Sequence, residues 1–221
     1  MFALPKLTKL ARTIIILNVF FWITEVLLLR TSYAYIINSM FLVPSEVING
    51  KIWQLLTYNF MHSPSGIFHL ILNMLVFYFF SYDLESKWGK RRFIFFYLIS
   101  AFIGGLFVIL EAILFIPSHY TIPTLGASAS IFALTTAFAL TYSQKEIYFF
   151  LVPIKAKYLI HIDLAIIILS YLSISDSNIS NAAHLGGMFS AFIMIRIPWY
   201  KLKKKNVHKR EKVTDHLRRI K

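Results

Sequence analysis

The chain has 221 residues, of which 57% are apolar and only 15% charged, and its mean hydropathy is +0.64. An ordinary soluble domain carries roughly 25% charged residues, so this much apolar surface cannot be hidden in one water-soluble core. The absence of cysteine excludes disulfides, thiolate metal sites, iron–sulfur clusters and thiol catalysis, which leaves any nucleophile to oxygen or nitrogen.

A bilayer core about 30 Å thick takes roughly 20 mostly apolar residues per helical crossing. Six stretches qualify as predicted transmembrane helices: 13–29, 67–84, 93–116, 125–142, 158–172 and 181–197. The fold class that follows is an all-α membrane protein, with no room for a soluble domain between the helices. The first stretch is followed by Arg30 and bulky residues rather than by a small-residue cleavage site, so it is expected to stay attached.

The net charge of +13 raises the question of nucleic acid, and the placement of the charge answers it. If the chain weaves across a membrane from an internal N-terminus, all of its 23 basic residues except Arg30 and Lys51 fall on one side. They group as Lys6, Lys9 and Arg12, then Lys87, Lys90, Arg91 and Arg92, then Lys145, Lys155 and Lys157, with the rest from Arg196 onward. The positive-inside rule then puts both termini in the cytoplasm, and nucleic acid is not implied as a partner. The expected organisation is a cytoplasmic N-terminus over 1–12, a six-helix domain over 13–197 and a basic cytoplasmic tail over 198–221. The tail reads as a solvated end along the membrane rather than a regulatory, lipid-binding arm. A prokaryotic plasma membrane is the expected location.

Polar side chains inside a bilayer cost free energy and mark function by default, so their depth is informative. The second, fourth and sixth helices all start on the outer face, and their first turns carry His69 and Asn73, Ser128, and His184. His69 and Asn73 are four apart and share a helix face. Ser128 stands among Gly126, Ala127 and Ala129, whose small size lets another backbone approach the hydroxyl. Gly187 and Ala191, also four apart, give the sixth helix a small face that can pack on the fourth and bring His184 to Ser128. A serine hydroxyl needs a base to become a nucleophile, which gives His184 that role and Ser128 the attack. The Asn73 amide, the His69 ring and the backbone N–H groups near Ser128 are donors of the kind an oxyanion needs. With no Asp or Glu in the outer turns of these helices, a Ser–His dyad rather than a triad is expected.

These residues resemble the rhomboid intramembrane proteases. The resemblance runs from about Trp53 to Ala191, through Trp53-Gln54-Leu55-Leu56-Thr57, Phe60-Met61-His62, His69 to Met74, Glu85 and Gly89, Gly126-Ala127-Ser128-Ala129 and Ala183-His184-Leu185-Gly186-Gly187. It implies a six-helix bundle with a short fourth helix starting below the membrane surface and a water-filled cavity opening outward. It also implies Ser128 as nucleophile, His184 as base, and His69 with Asn73 as oxyanion side chains, acting on transmembrane-helix proteins cut near their outer ends. Gly126, Ala127, Phe132 and Gly187 would support the site, with neither metal nor organic cofactor. Four positions depart from the family pattern: Gln54 where Arg is usual, Ala129 and Ala191 where Gly is usual, and Phe132 where Tyr is frequent.

Other polar residues have structural readings. Ser130, Ser170 and Ser190 are expected to bond to their own helices, and His62 to be a loop residue. Glu85 is expected to tether the cytoplasmic loop to a nearby Lys or Arg. Glu25, Glu111, His161 and Asp163 are expected to make structural polar contacts. Two rival functions use the same polar cluster. In a haem-carrying electron-transfer protein, His69 and His184 would be axial ligands; a solute transporter would use the cluster for binding.

Overall fold

The computed structural model describes residues 6–64, 66–149, 152–172 and 180–197 of the chain. The predicted basic tail over 198–221 lies outside the described residues.

Helix α1 (Lys9–Leu28) is started by Thr8, whose side chain accepts from the Ala11 amide. Three short helices fill the segment that follows: α2 (Ala34–Asn38), α3 (Pro44–Ile48) and α4 (Gln54–Thr57), with a 3-10 turn at Tyr58–Phe60. The long α5 (Ile67–Trp88) and α6 (Lys90–Leu114) meet at Gly89, whose φ of +80° reverses the chain in one residue. These two and α1 are long and apolar enough to cross a membrane. Helix α7 (Ser128–Thr141) has 14 residues, which at 1.5 Å per residue gives about 21 Å, short of a full hydrocarbon core. Strands β1 (Glu146–Phe149) and β2 (Val152–Lys155) form an antiparallel hairpin, and α8 (Leu159–Leu172) and α9 (Asn181–Arg196) complete the described chain.

Helix α7 is enclosed by its neighbours, whereas the outward faces of α1, α5, α6 and α8 are apolar and exposed. Phe77, Phe93, Tyr97, Leu134 and Phe138 form the main core between α5, α6 and α7. A second core of Leu42, Leu55, Tyr58, Ala101 and Ala129 lies toward the segment between α1 and α5. Small residues govern the approach of α6, α7 and α9. A Cβ on Gly187 would fall 2.0 Å from the Ala129 carbonyl oxygen, so α9 touches the α7 backbone there.

Buried polar contacts tie the elements together, and two differ from expectation. Ser130 Oγ lies 2.9 Å from Asn59 Oδ1 and 2.8 Å from the Tyr97 carbonyl, so it bridges to other elements instead of its own helix. The reason is that α7 is enclosed, which puts carbonyls of neighbouring elements within reach of a short side chain. Glu85 is not paired with a Lys or Arg among the described residues; its Oε2 accepts from Thr8 Oγ1, joining the start of α1 to the end of α5. Ser190 bonds both the Gly187 carbonyl of its own helix and Ser100 Oγ of α6. Asp163 accepts from Thr135, and Glu111 from Tyr171, each at 2.7 Å.

The segment between α1 and α5 is held by side chains. Gln54, fully buried, accepts from the Val43 amide and donates to Glu46 Oε2 and the Ser39 carbonyl. Trp53 also donates to the Ser39 carbonyl, and Thr57 to that of Met40.

Candidate active site

Gly126 sets the start of α7. Its φ of +124° is closed to a residue with a Cβ, which delays the predicted start at 125 until Ser128. The Gly126 amide donates to the Tyr58 carbonyl at 3.0 Å, and Tyr58 in turn donates its hydroxyl to the Ala101 carbonyl. The turn carrying Ser128 is thus fastened to α6 through the 3-10 turn. Ser128 occupies the first position of α7, where backbone N–H groups have no intrahelical acceptor and the helix dipole is positive.

His184 lies in the first turn of α9, behind Ser180, which accepts from the Ala183 amide as N-cap. Its Nε2 is 2.9 Å from Ser128 Oγ. The ring stacks on Phe132, with centroids 4.1 Å apart and planes 4° from parallel. Phe132 is four residues after Ser128 on α7, so nucleophile side chain and stacking ring rise from one helix face. His184 Nδ1 is buried with no hydrogen-bond partner among the described residues. No carboxylate among the described residues orients this ring, and the stack on Phe132 holds its plane.

Gly186 and Gly187 let α9 come close enough for this contact. A Cβ on Gly186 would meet the Phe107 ring at 2.8 Å and the Gly104 Cα at 2.9 Å. Ala191 is fully buried at the same interface. Ala129, with a methyl where the family pattern has none, faces Gly104 of α6.

His69 and Asn73 project from α5 beside this pair. A Cβ on Gly126 would lie 2.9 Å from His69 Cε1 and 3.8 Å from Ser128 Oγ, so the imidazole and the hydroxyl flank that glycine. Asn73 Nδ2 is buried with no partner among the described residues, a donor left available. The structure thus gathers Ser128, His184, His69, Gly126, Ala127, Phe132 and Gly187 at one level. Asn73 is one turn along α5 from His69.

His62 is a loop residue, as its sequence setting indicates, but a buried one. Its ring is 5.3 Å from that of His69 and inclined by 58°. Burial, and then the neighbouring His69, push its imidazole down to about 3, so it is neutral across the working pH range. Glu25 of α1 is also fully buried and accepts from the His62 amide. Nothing in the local sequence pairs residues 25 and 62. The one available signal was an acidic residue in an apolar helix, which marks a contact but not its partner.

Comparison with known proteins identifies the family of the chain. A family model described as Rhomboid domain matches residues 49–201. RHOMBOID-like protein 4 of Arabidopsis thaliana is 31% identical over 151 residues, covering 67% of this chain and 35% of that protein. YdcA of Bacillus subtilis is 29% identical over 153 residues, 67% of this chain and 68% of its own length. The rhomboid protease GluP of the same bacterium is 28% identical over 149 residues, 67% of this chain and 26% of GluP. The relatives also include the inactive RHOMBOID-like protein 8 of Arabidopsis thaliana. The chain thus spans about a third of RHOMBOID-like protein 4 and a quarter of GluP, but two-thirds of YdcA. With the family model covering most of the sequence and three helices apolar enough to span a bilayer, the chain is an integral membrane protein of the rhomboid family.

Proposed function

We propose that the protein is an intramembrane serine endopeptidase that cuts transmembrane-helix proteins in or near the outer ends of their helices. The observation that carries this reading is the 2.9 Å contact between His184 Nε2 and Ser128 Oγ at the start of α7. Family membership alone does not supply activity, since the family includes an inactive relative. An intact hydroxyl–imidazole pair supports it here.

With its proton on Nδ1, His184 accepts the Ser128 O–H through Nε2 and takes that proton as Oγ attacks the scissile carbonyl carbon. The resulting oxyanion is stabilised by the Ser128 backbone N–H, the Asn73 amide and the His69 ring, aided by the positive end of α7. As the C–N bond breaks, His184 gives its proton to the leaving amine, and an ester to Ser128 remains. Water, deprotonated by His184, then attacks the ester carbon; the bond to Ser128 Oγ breaks, His184 returns the proton to Oγ, and the acid product leaves. No step requires a metal or organic cofactor.

The same proposal covers the membrane arrangement. Helices α1, α5, α6, α7, α8 and α9 are the six crossings of a domain over 13–197, with 1–12 and 198–221 in the cytoplasm. The membrane is the plasma membrane of a prokaryote. Support for the orientation comes from the sequence: six crossings would leave all basic residues on one side except Arg30 and Lys51.

The test is labelling of detergent-solubilised protein with a fluorescent fluorophosphonate, alongside cleavage of a model transmembrane substrate. Wild type should take the label and cleave; Ser128→Ala should do neither, and His184→Ala should not cleave. Substantial cleavage by either variant would overturn the dyad.

A further inference from the structure

Helix α1 is remote from Ser128 in sequence, yet it carries a fully buried carboxyl group, Glu25, near its end in a mostly apolar stretch. Placing such a group there is costly unless it makes a specific contact. Glu25 Oε2 accepts from the His62 amide at 2.8 Å, while Oε1 has no partner among the described residues. One helical turn earlier, Trp22 Nε1 donates to the Ser63 carbonyl at 3.3 Å. Two side chains of one α1 face thus grip consecutive residues of the segment leading into α5.

The grip determines where the His62 ring lies. That ring is fully buried, and neither nitrogen has a hydrogen-bond partner among the described residues. It packs against the His69 ring, at 5.3 Å between centroids. His69 in turn abuts Gly126 beside Ser128. The contacts run unbroken from α1 through His62 and His69 to the turn that presents the nucleophile.

We propose that Glu25 is a positioning residue: by holding the His62 amide, it seats the His62 ring behind His69 and so fixes the His69 imidazole beside the Ser128 hydroxyl. The inference rests on the reading of Ser128 and His184 as the reacting pair. Glu25 itself touches no reacting atom. Its carboxyl is needed as a hydrogen-bond acceptor, a role an amide oxygen can also fill.

The experiment compares wild type, E25Q, E25L and H62A in fluorophosphonate labelling rate and in kcat and KM on a transmembrane substrate, with S128A as background. E25Q should label within about twofold of wild type, because its side-chain oxygen can still accept the amide. E25L should label about tenfold more slowly and lose kcat with KM unchanged, well inside the cost that ~1 Å of misplacement can impose. Wild-type behaviour of E25L would overturn the proposal, as would E25Q as slow as E25L. If E25L does not accumulate as folded protein, H62A decides, since it keeps the amide that Glu25 holds and removes only the ring. A loss of about tenfold is expected there as well, and a wild-type rate would overturn the proposal. An unlabelled wild type would overturn both this inference and the reading beneath it, whereas a labelled wild type matched by E25L and H62A would overturn this inference alone.

Discussion

Gly104 of α6 faces Ala129 of α7 so closely that a Cβ on the glycine would stand 2.6 Å from the alanine methyl. The extra carbon next to the nucleophile is therefore accommodated by a missing carbon on the neighbouring helix. Gly104→Ala should lower stability by about 1–3 kcal/mol through overpacking, and Ala129→Gly in that background should restore part of it. Thermal unfolding in detergent measures both. Recovery would stay partial because the Tyr58 hydroxyl and the Ala183 carbonyl also crowd the position.

Gly187→Ala is expected to be more damaging to activity. Its Cβ would meet the backbone carbonyl of Ala129, which cannot rotate away as a side chain could. Helix α9 must shift, and His184 with it. Cleavage should fall on the order of 100-fold, as for an ~1 Å misplacement of a reacting group. Retained helicity by circular dichroism would distinguish displacement from unfolding.

Phe132 holds the His184 ring plane in a site where no carboxylate among the described residues does so. Phe132→Ala should reduce kcat by roughly tenfold, in line with the worth of one aromatic stack. Phe132→Tyr should keep most activity, since the stacking face is unchanged. Steady-state cleavage rates for the two variants test this directly.

Asn73→Ala should lower kcat by about 100- to 1,000-fold, the usual cost of one oxyanion donor, with little change in KM. An unchanged kcat would remove Asn73 from the oxyanion pocket.

Glu46 provides a pH test in the segment between α1 and α5. Hydrogen bonds from Lys51 and then Gln54 hold its carboxyl below the ordinary value of 4.5. The stabilisation is present in full above pH 4.5 and is lost as pH falls through the lowered folded value. Acid should therefore loosen this segment, weakly because the Glu46 side chain is about a third exposed and its ion pair is screened by solvent. Glu46→Gln should flatten the acid dependence of proteolytic nicking near Gln54.

The parts legible in sequence were those encoded by spacing. His69 and Asn73 share a face because they are four apart, and the small residues at 126–129 and Gly187 on the sixth helix foretold where α7 and α9 come together. The pairing of Glu25 with His62, of Glu85 with Thr8 and of Ser130 with Asn59 has no period to reveal it. Each joins elements tens of residues apart, and a side chain's hydrogen-bonding capacity does not specify its partner. The short helices α2 to α4 were missed for a related reason. They are too brief for an apolar period to register and are held by Gln54 and Trp53 rather than by amphipathicity. The position of Gln54, noted as a departure from the family pattern, turned out to be the fastening point of that segment.

Leu42 and Thr124 exchange both of their backbone hydrogen bonds, at 3.0 and 2.8 Å. This two-residue rung welds the segment after α1 to the approach to α7, four residues before Ser128. Amide exchange at the two positions should then proceed with a common protection factor. A perturbation that frees one end would unfasten the other, so damage far out in that segment would be felt as drift of the nucleophile.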